Sequence, residues 1–258
     1  MATVFRAWDR ESRSWRAVKL LAPRLARSAS LRARFRKEAA VMARLEHPGI
    51  GKVFRLDMDG DQLYIEMELI EGCSLRSWLN ANGPMPARLA VGAVVEVCAA
   101  MQFAHEAGVI HRDLKPANIL VRSNGRCVVV DFGIARSAHA VSTTRTGLMM
   151  GSMGFMAPEQ MESARRADER ADVFSLAATL VALVTNHRMN DLDEALRAAV
   201  EHLPQGLMLT LVRATATNRD LRTGSARQLR RGLERGLDNL LRPSSEPSLY
   251  RPLPVFAS

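Results

Sequence analysis

The spacing of apolar positions changes character several times along this 258-residue chain. Residues 2–8 (ATVFRAW) and 15–21 (WRAVKLL) are short, apolar and separated by the charged segment DRESRS. They predict a hairpin whose second strand carries Lys19. After Ser30 the period lengthens. Leu31, Phe35, Val41, Met42 and Leu45 recur at helical spacing until His47-Pro48-Gly49 ends the run, which puts Glu38 in the middle of a helix. Two more strands, near 51–57 and 62–69, flank the turn sequence Asp59-Gly60-Asp61. From Glu71 the pattern turns helical, in SLRSWLN and across 86–107. Short apolar strands (ILV, CVVV) interrupt it, and it is mostly helical again over roughly 158–241. The chain therefore reads as α+β, with a small strand-rich unit at 1–70, a larger helical unit at 71–241, and a proline- and serine-containing tail at 242–258.

Composition narrows the possibilities. A hydrophobic content of 47% supports a sizeable core. The apolar runs VCAAMQFA and DVFSLAATLVALV fall short of the roughly 20 residues that span a bilayer, so neither a membrane segment nor a signal peptide is expected. Cys73, Cys98 and Cys127 are odd in number and far apart, without a CxxC pair. This pattern favours packing and a reducing cytoplasm over disulfides or zinc. The formal charge of +9 comes from arginines spread along the whole chain, which does not predict nucleic-acid binding. Lysine occurs only at positions 19, 37, 52 and 115, and two of these fall in the motifs below.

The segment HRDLKPANIL at 111–120 and the segment DFG at 131–133, which follows the strand CVVV, resemble the catalytic and metal-binding loops of protein kinases. With ATVFRA, DFGIAR and MAPEQ, the wording is similar to that of bacterial eukaryotic-like (Hanks-type) serine/threonine kinases, and the resemblance covers nearly the whole chain. It implies a two-lobed kinase fold, with a small β-rich N-lobe at 1–70 and a helical C-lobe at 71–241. It also implies ATP and Mg2+ as cofactors and a protein substrate bearing Ser or Thr.

Phosphoryl transfer asks for in-line approach, charge neutralisation and orientation of the nucleophile. By this resemblance Asp113 is the catalytic base, Asn118 and Asp131 are oxygen ligands for magnesium, and Lys115 stabilises the transferring phosphate. That lysine also favours Ser/Thr over tyrosine substrates. Lys19 would grip the α- and β-phosphates with Glu38 as its partner. Val4 and Ala17 would roof the adenine and Leu120 would floor it, while the Glu68 carbonyl and Ile70 amide would bond it, beside Met67 as gatekeeper. Met42, Val53, His111 and Phe132 would stack as a regulatory spine anchored by Asp172. In the activation segment between Gly133 and Pro158, Thr144 and Thr146 fit phosphorylated positions whose added charge would pair with Arg112, and a homodimer would permit autophosphorylation. Ser152 would bridge Asp113 and Lys115. Glu159 would pair with Arg222.

Singly, each of these residues has an ordinary explanation: a lone DFG is common, and Ser/Thr clusters usually mark solvated loops. Their order and spacing favour the kinase reading. The resemblance also carries departures. Relatives place a strand and two or three glycines just before a segment such as ATVFRA, so the first strand and most of the glycine-rich loop are expected to be missing, as in an N-terminally truncated kinase. This supplies an alternative, a non-catalytic pseudokinase or regulatory binding module. The stretch from Thr185 to Leu207 is short and lacks the usual Pro-Phe element, and Ala177 and Asn218 stand where glycine and aspartate are more usual. A small-molecule kinase, which normally lacks the APE segment and its arginine partner, is a third and weaker reading.

Overall fold

The computed structural model describes residues 3–20, 39–60, 62–132, 153–162, 167–187 and 189–241. Glu38, Thr144, Thr146 and Ser152 lie outside the described residues. The N-lobe sheet contains β1 (Thr3–Asp9), β2 (Ser14–Leu20), β3 (Val53–Asp59) and β4 (Gln62–Glu68), in the antiparallel order β1-β2-β4-β3. The predicted hairpin and strand pair are thus present within a residue or two of their expected ends.

Register decides which side chains face the cleft. Val4 pairs with Lys19, Arg6 with Ala17 and Trp8 with Trp15, and directly opposed residues in an antiparallel pair project to the same side. One face therefore carries Val4, Ala17 and Lys19, and at the hairpin tip the two tryptophans meet edge to face at 5.3 Å, with Arg6 stacked on Trp15. On the other face Glu66, only 7% exposed, lies between Arg16 at 3.4 Å and Arg55 at 2.7 Å.

The C-lobe opens with β5 (Gly72–Ser74), α1 (Leu75–Asn82) and α2 (Ala87–Glu106). Ser74 caps α1 by accepting from the Ser77 amide. Next come a 3-10 turn at Pro116–Asn118, β6 (Ile119–Arg122) and β7 (Cys127–Val129), with β5-β6-β7 forming a second sheet. The remaining helices are α3 (Pro158–Glu162), α4 (Glu169–Thr185), α5 (Leu192–Ala199), α6 (Gln205–Ala214) and α7 (Ala226–Leu241). Every residue of α4 from Ala171 to Thr185 is buried, as expected of a helix that is apolar on all sides and forms the centre of a lobe. Asp168 caps its start, and Asn186, left-handed at φ 52°, caps its end. Gly154 passes so close to the loop before α5 that a Cβ there would lie 1.4 Å from the Met189 carbonyl oxygen.

The apolar run within α2 reads from the sequence as too short for a membrane. As a 20-residue helix, α2 is long and apolar enough to cross one by length and composition. Here it packs against α4 and α7, burying Val94, Cys98 and Met101.

The two lobes are stitched together by backbone. Gly51 N–H donates to the Val129 carbonyl and Val129 N–H to the Gly49 carbonyl, both at 2.9 Å, while Arg122 on β6 meets the Glu68 carboxylate at 2.7 Å. Under this seam Met42, Val53 and Phe132 belong to one buried cluster, and Phe132 stacks on His111 with ring centroids 4.6 Å apart.

Asp172, fully buried in the first turn of α4, anchors the stack. Its Oδ1 accepts from the Arg112 amide, and its Oδ2 from the His111 amide and from His105 Nε2, each at 2.8 Å. Burial pushes this carboxyl up, but the His105 hydrogen bond and the His111 imidazole and amide outweigh it and hold the group below its ordinary value. Burial likewise disfavours the charged form of His111, so its pKa lies below the usual 6.5.

Both shifts are depressions. The stability that each contributes is complete above its unfolded-state pKa and is lost as pH falls toward the folded-state value. The unfolding temperature is therefore expected to decline in acid, beginning below the ordinary histidine range near 6.5; a melting temperature that stays flat between about pH 7 and about pH 4 would contradict this. Asp172→Ala, which leaves two buried amides and an imidazole without an acceptor, is expected to cost about 3–5 kcal/mol in denaturant unfolding.

Candidate active site

The residues from His111 to Asn118 form a loop held by hydrogen bonds at the amides of His111, Arg112, Asp113 and Asn118 and at the carbonyls of Arg112, Asp113, Lys115 and Asn118. The His111 ring fixes its own tautomer: the Val130 carbonyl can only accept, so Nε2, 3.0 Å away, carries the proton. Nδ1 then accepts from the Asp113 amide at 3.1 Å. A neutral imidazole satisfies both bonds, in keeping with its lowered pKa. One side chain thereby ties the loop holding Asp113 to the strand end that presents Asp131.

Arg112 and Asp131 both have left-handed backbones, at φ 65° and 59°. This conformation costs an L-residue roughly 1–2 kcal/mol and persists only where the surroundings impose it. The two residues lie on separate segments that meet at His111, whose ring bonds the Asp113 amide and the carbonyl of Val130, just before Asp131.

Around Asp113 the side chains converge. Lys115 Nζ donates to both carboxylate oxygens, at 3.1 and 3.0 Å. Asn118 Nδ2 donates to the Asp113 carbonyl at 2.7 Å and to its Oδ2 at 3.1 Å, which orients the amide so that its carbonyl oxygen is turned toward other partners. Pro116 opens the 3-10 turn that positions Asn118, and the Asn118 carbonyl accepts from the Val130 amide at 3.0 Å. Across the cleft, Lys19 Nζ lies 2.7 Å from Asp131 Oδ1. Each carboxylate therefore has an ammonium partner, in a cleft where Asp113 and Asp131 side chains are 20% and 33% exposed.

The donor set suits a hard cation. Asp131 and Asn118 offer oxygen on adjoining segments, and magnesium keeps several positions for water and phosphate instead of filling an all-protein cage. Among the described residues no group of three or more His, Cys, Asp or Glu side chains forms such a cage. Two oxygen donors, Asp131 and Asn118, would suit a metal that arrives with phosphate.

Of the adenine contacts that the kinase resemblance implies, Ala17 is buried, Leu120 and Ile70 are half-buried and Val4 is 52% exposed. The Glu68 amide donates to the Lys52 carbonyl at 2.8 Å, and its carboxylate is engaged with Arg122. Glu159 and Arg222 form a two-pronged pair at 2.6 and 2.9 Å. Arg222 is 4% exposed and also donates to the carbonyls of Ala216 and Arg170. Burial raises the Glu159 carboxyl, but the Arg222 bonds more than offset it and leave it below the usual range.

Three contributors were not singled out from the sequence. His105 reaches Asp172 from the last turn of α2, Arg122 crosses to Glu68, and Gln160 donates to the Arg112 carbonyl at 3.1 Å. His105 is six residues before His111, and Gln160 stands inside the quoted MAPEQ. Neither position has a role until the tertiary fold supplies its partner.

Comparison with known proteins identifies the family. The protein kinase domain family matches residues 1–242. The serine/threonine-protein kinase PknL of Mycobacterium tuberculosis is 37% identical over 202 residues, covering 78% of this chain and 50% of its own length. The probable serine/threonine-protein kinase PknB of Lactococcus lactis is 36% identical over 198 residues, covering 71% of this chain and 31% of its own. The chain thus spans about a third to a half of the length of these relatives. Among solved structures, the Mycobacterium tuberculosis PknI kinase domain superposes with a TM-score of 0.73 at 28% identity, covering 92% of this chain and 91% of that one. With its lobes, its buried α4 anchor and its catalytic-loop geometry, the chain belongs to the bacterial Hanks-type serine/threonine protein kinase family.

Proposed function

We propose that this chain transfers the γ-phosphate of ATP to serine or threonine hydroxyls of a protein, with magnesium as cofactor. The observation that carries this reading is the network joining Asp113, Lys115 and Asn118, facing the Lys19–Asp131 pair across one cleft. Asp113 accepts a hydrogen bond from the incoming hydroxyl and aligns it. Its carboxylate need not be strongly basic, because proton loss can lag behind phosphoryl departure in a loose transition state. Lys115, already on the Asp113 carboxylate, supplies positive charge where the transferring group would pass. Lys19 holds the more distant phosphates as a compact point charge. Magnesium on Asp131 and Asn118 would neutralise charge on the phosphates.

A polypeptide substrate is supported by a groove of about 700 Å3 beside the segment that carries Glu159. Its floor includes Met156, Pro158, Leu192 and Leu196, with Asp191 and Asp193 at its lip. Methionine-rich surfaces adapt to varied side chains, and the acidic lip favours basic flanking residues. Regulation by phosphate on Thr144 or Thr146, recruiting Arg112 and placed there by a second copy of the chain, completes the reading.

With magnesium-ATP and a generic basic protein, Asp131→Asn and Asp113→Asn are each expected to lower phosphate transfer by about 10²–10⁴-fold while remaining folded. Transfer by the unmodified chain no faster than by Asp131→Asn would sink the enzyme reading in favour of a binding module. The Thr144→Ala/Thr146→Ala double variant is expected to lose autophosphorylation in this segment, read by phosphopeptide mass spectrometry, and to lose activity with it. Full activity in the double variant would remove the regulatory part.

A further inference from the structure

We infer that Gln160 is a positioning residue for Asp113, acting through the peptide bond between Arg112 and Asp113; this deepens the kinase reading above and rests on it. Both polar ends of that peptide are occupied. Its carbonyl, on Arg112, accepts from Gln160 Nε2 at 3.1 Å, and its N–H, on Asp113, donates to His111 Nδ1 at 3.1 Å. The preceding peptide is held as well, since the Arg112 amide donates to Asp172 Oδ1. Arg112 sits at φ 65°, a conformation with no intrinsic preference in its favour. The plane of the Arg112–Asp113 peptide, and with it the direction of the Asp113 side chain, therefore depends on these three bonds together.

Gln160 suits the task chemically. Its Oε1 accepts from the Ala157 amide at 3.2 Å, so the other end of its side-chain amide must present N–H, the group that the Arg112 carbonyl needs. A glutamate in the same place would keep the acceptor for Ala157 but turn a second oxygen toward the Arg112 carbonyl. A methionine would keep similar bulk and offer neither bond. Gln160 itself is held in place, because its neighbour Glu159 is clamped by Arg222. The catalytic-loop peptide is thus braced from α4 through Asp172 and from α3 through Gln160.

The test compares the unmodified chain with Gln160→Met, Gln160→Glu and Asp131→Asn, using steady-state kinetics with magnesium-ATP and a generic basic protein. Amide hydrogen exchange at residues 111–114 is measured in the same samples. Both Gln160 variants are expected to lower kcat by about tenfold to a hundredfold, as misplacement of a reacting group does, with the KM for ATP changed by no more than about twofold. The Asp113 amide is expected to exchange faster in both. A variant with unchanged kcat and unchanged exchange overturns the inference. So does a rise in the KM for ATP that matches the fall in kcat, because that pattern reports a lost nucleotide contact instead of a misdirected base. If the unmodified chain transfers no more phosphate than Asp131→Asn, the kinase reading fails separately, and exchange at Asp113 still decides whether Gln160 holds the peptide.

Discussion

The constraint on which this structure depends is a single carboxylate with no access to water. Asp172 is 0% exposed, and a buried ionised group is tolerable only if its oxygens are satisfied by strong donors. The donors available are the amides of His111 and Arg112 and the ring of His105. Satisfying Asp172 therefore dictates the backbone path into Asp113. The requirement runs both ways, since Arg112 would not hold a left-handed backbone without such an acceptor. The long apolar helix α4 gives the carboxylate a fixed position from which to act.

From that anchor the order passes across the cleft. His111, kept neutral by burial, relays it to Val130 and so to Asp131. Phe132 stacks on the same ring and shares one buried core with Met42 and Val53 of the smaller lobe. The backbone pairing of residues 49–51 with Val129 makes that packing continuous. The loop of Asp113, the strand end that leads to Asp131 and the N-lobe sheet are consequently parts of one hydrogen-bonded and packed body.

The division of labour between the two cationic side chains follows the same logic. A chain that has only four lysines brings two of them, Lys19 and Lys115, into the cleft beside Asp131 and Asp113. A compact ammonium on a flexible stem can exchange a carboxylate for a phosphate as ligand arrives. The permanent pair, Glu159 with Arg222, uses arginine instead: its planar fork makes two parallel bonds and spends its remaining donors on carbonyls. It is a buried brace, whereas the lysine pairs are single ammonium contacts in partly exposed positions.

By itself, the sequence determined the elements and the family. The hairpin, the strand pair, the SLRSWLN helix and the helical second half were legible because alternation, helical spacing and turn residues are local properties. HRDLKPAN, DFG and the APE segment were legible because phosphoryl transfer needs particular groups at particular intervals. Tertiary structure alone decided what those motifs lean on. It placed His105 on Asp172, Arg122 on Glu68 and Gln160 on the Arg112 carbonyl, and it set the Lys19–Asp131 pair across 112 residues of chain. It also packed α2 against α4 and α7, although by length and composition alone that helix would suit a membrane. The reason is physical: such partners are far apart in sequence, and what joins them is burial, which forces each polar group removed from water to find a bond wherever the fold brings one.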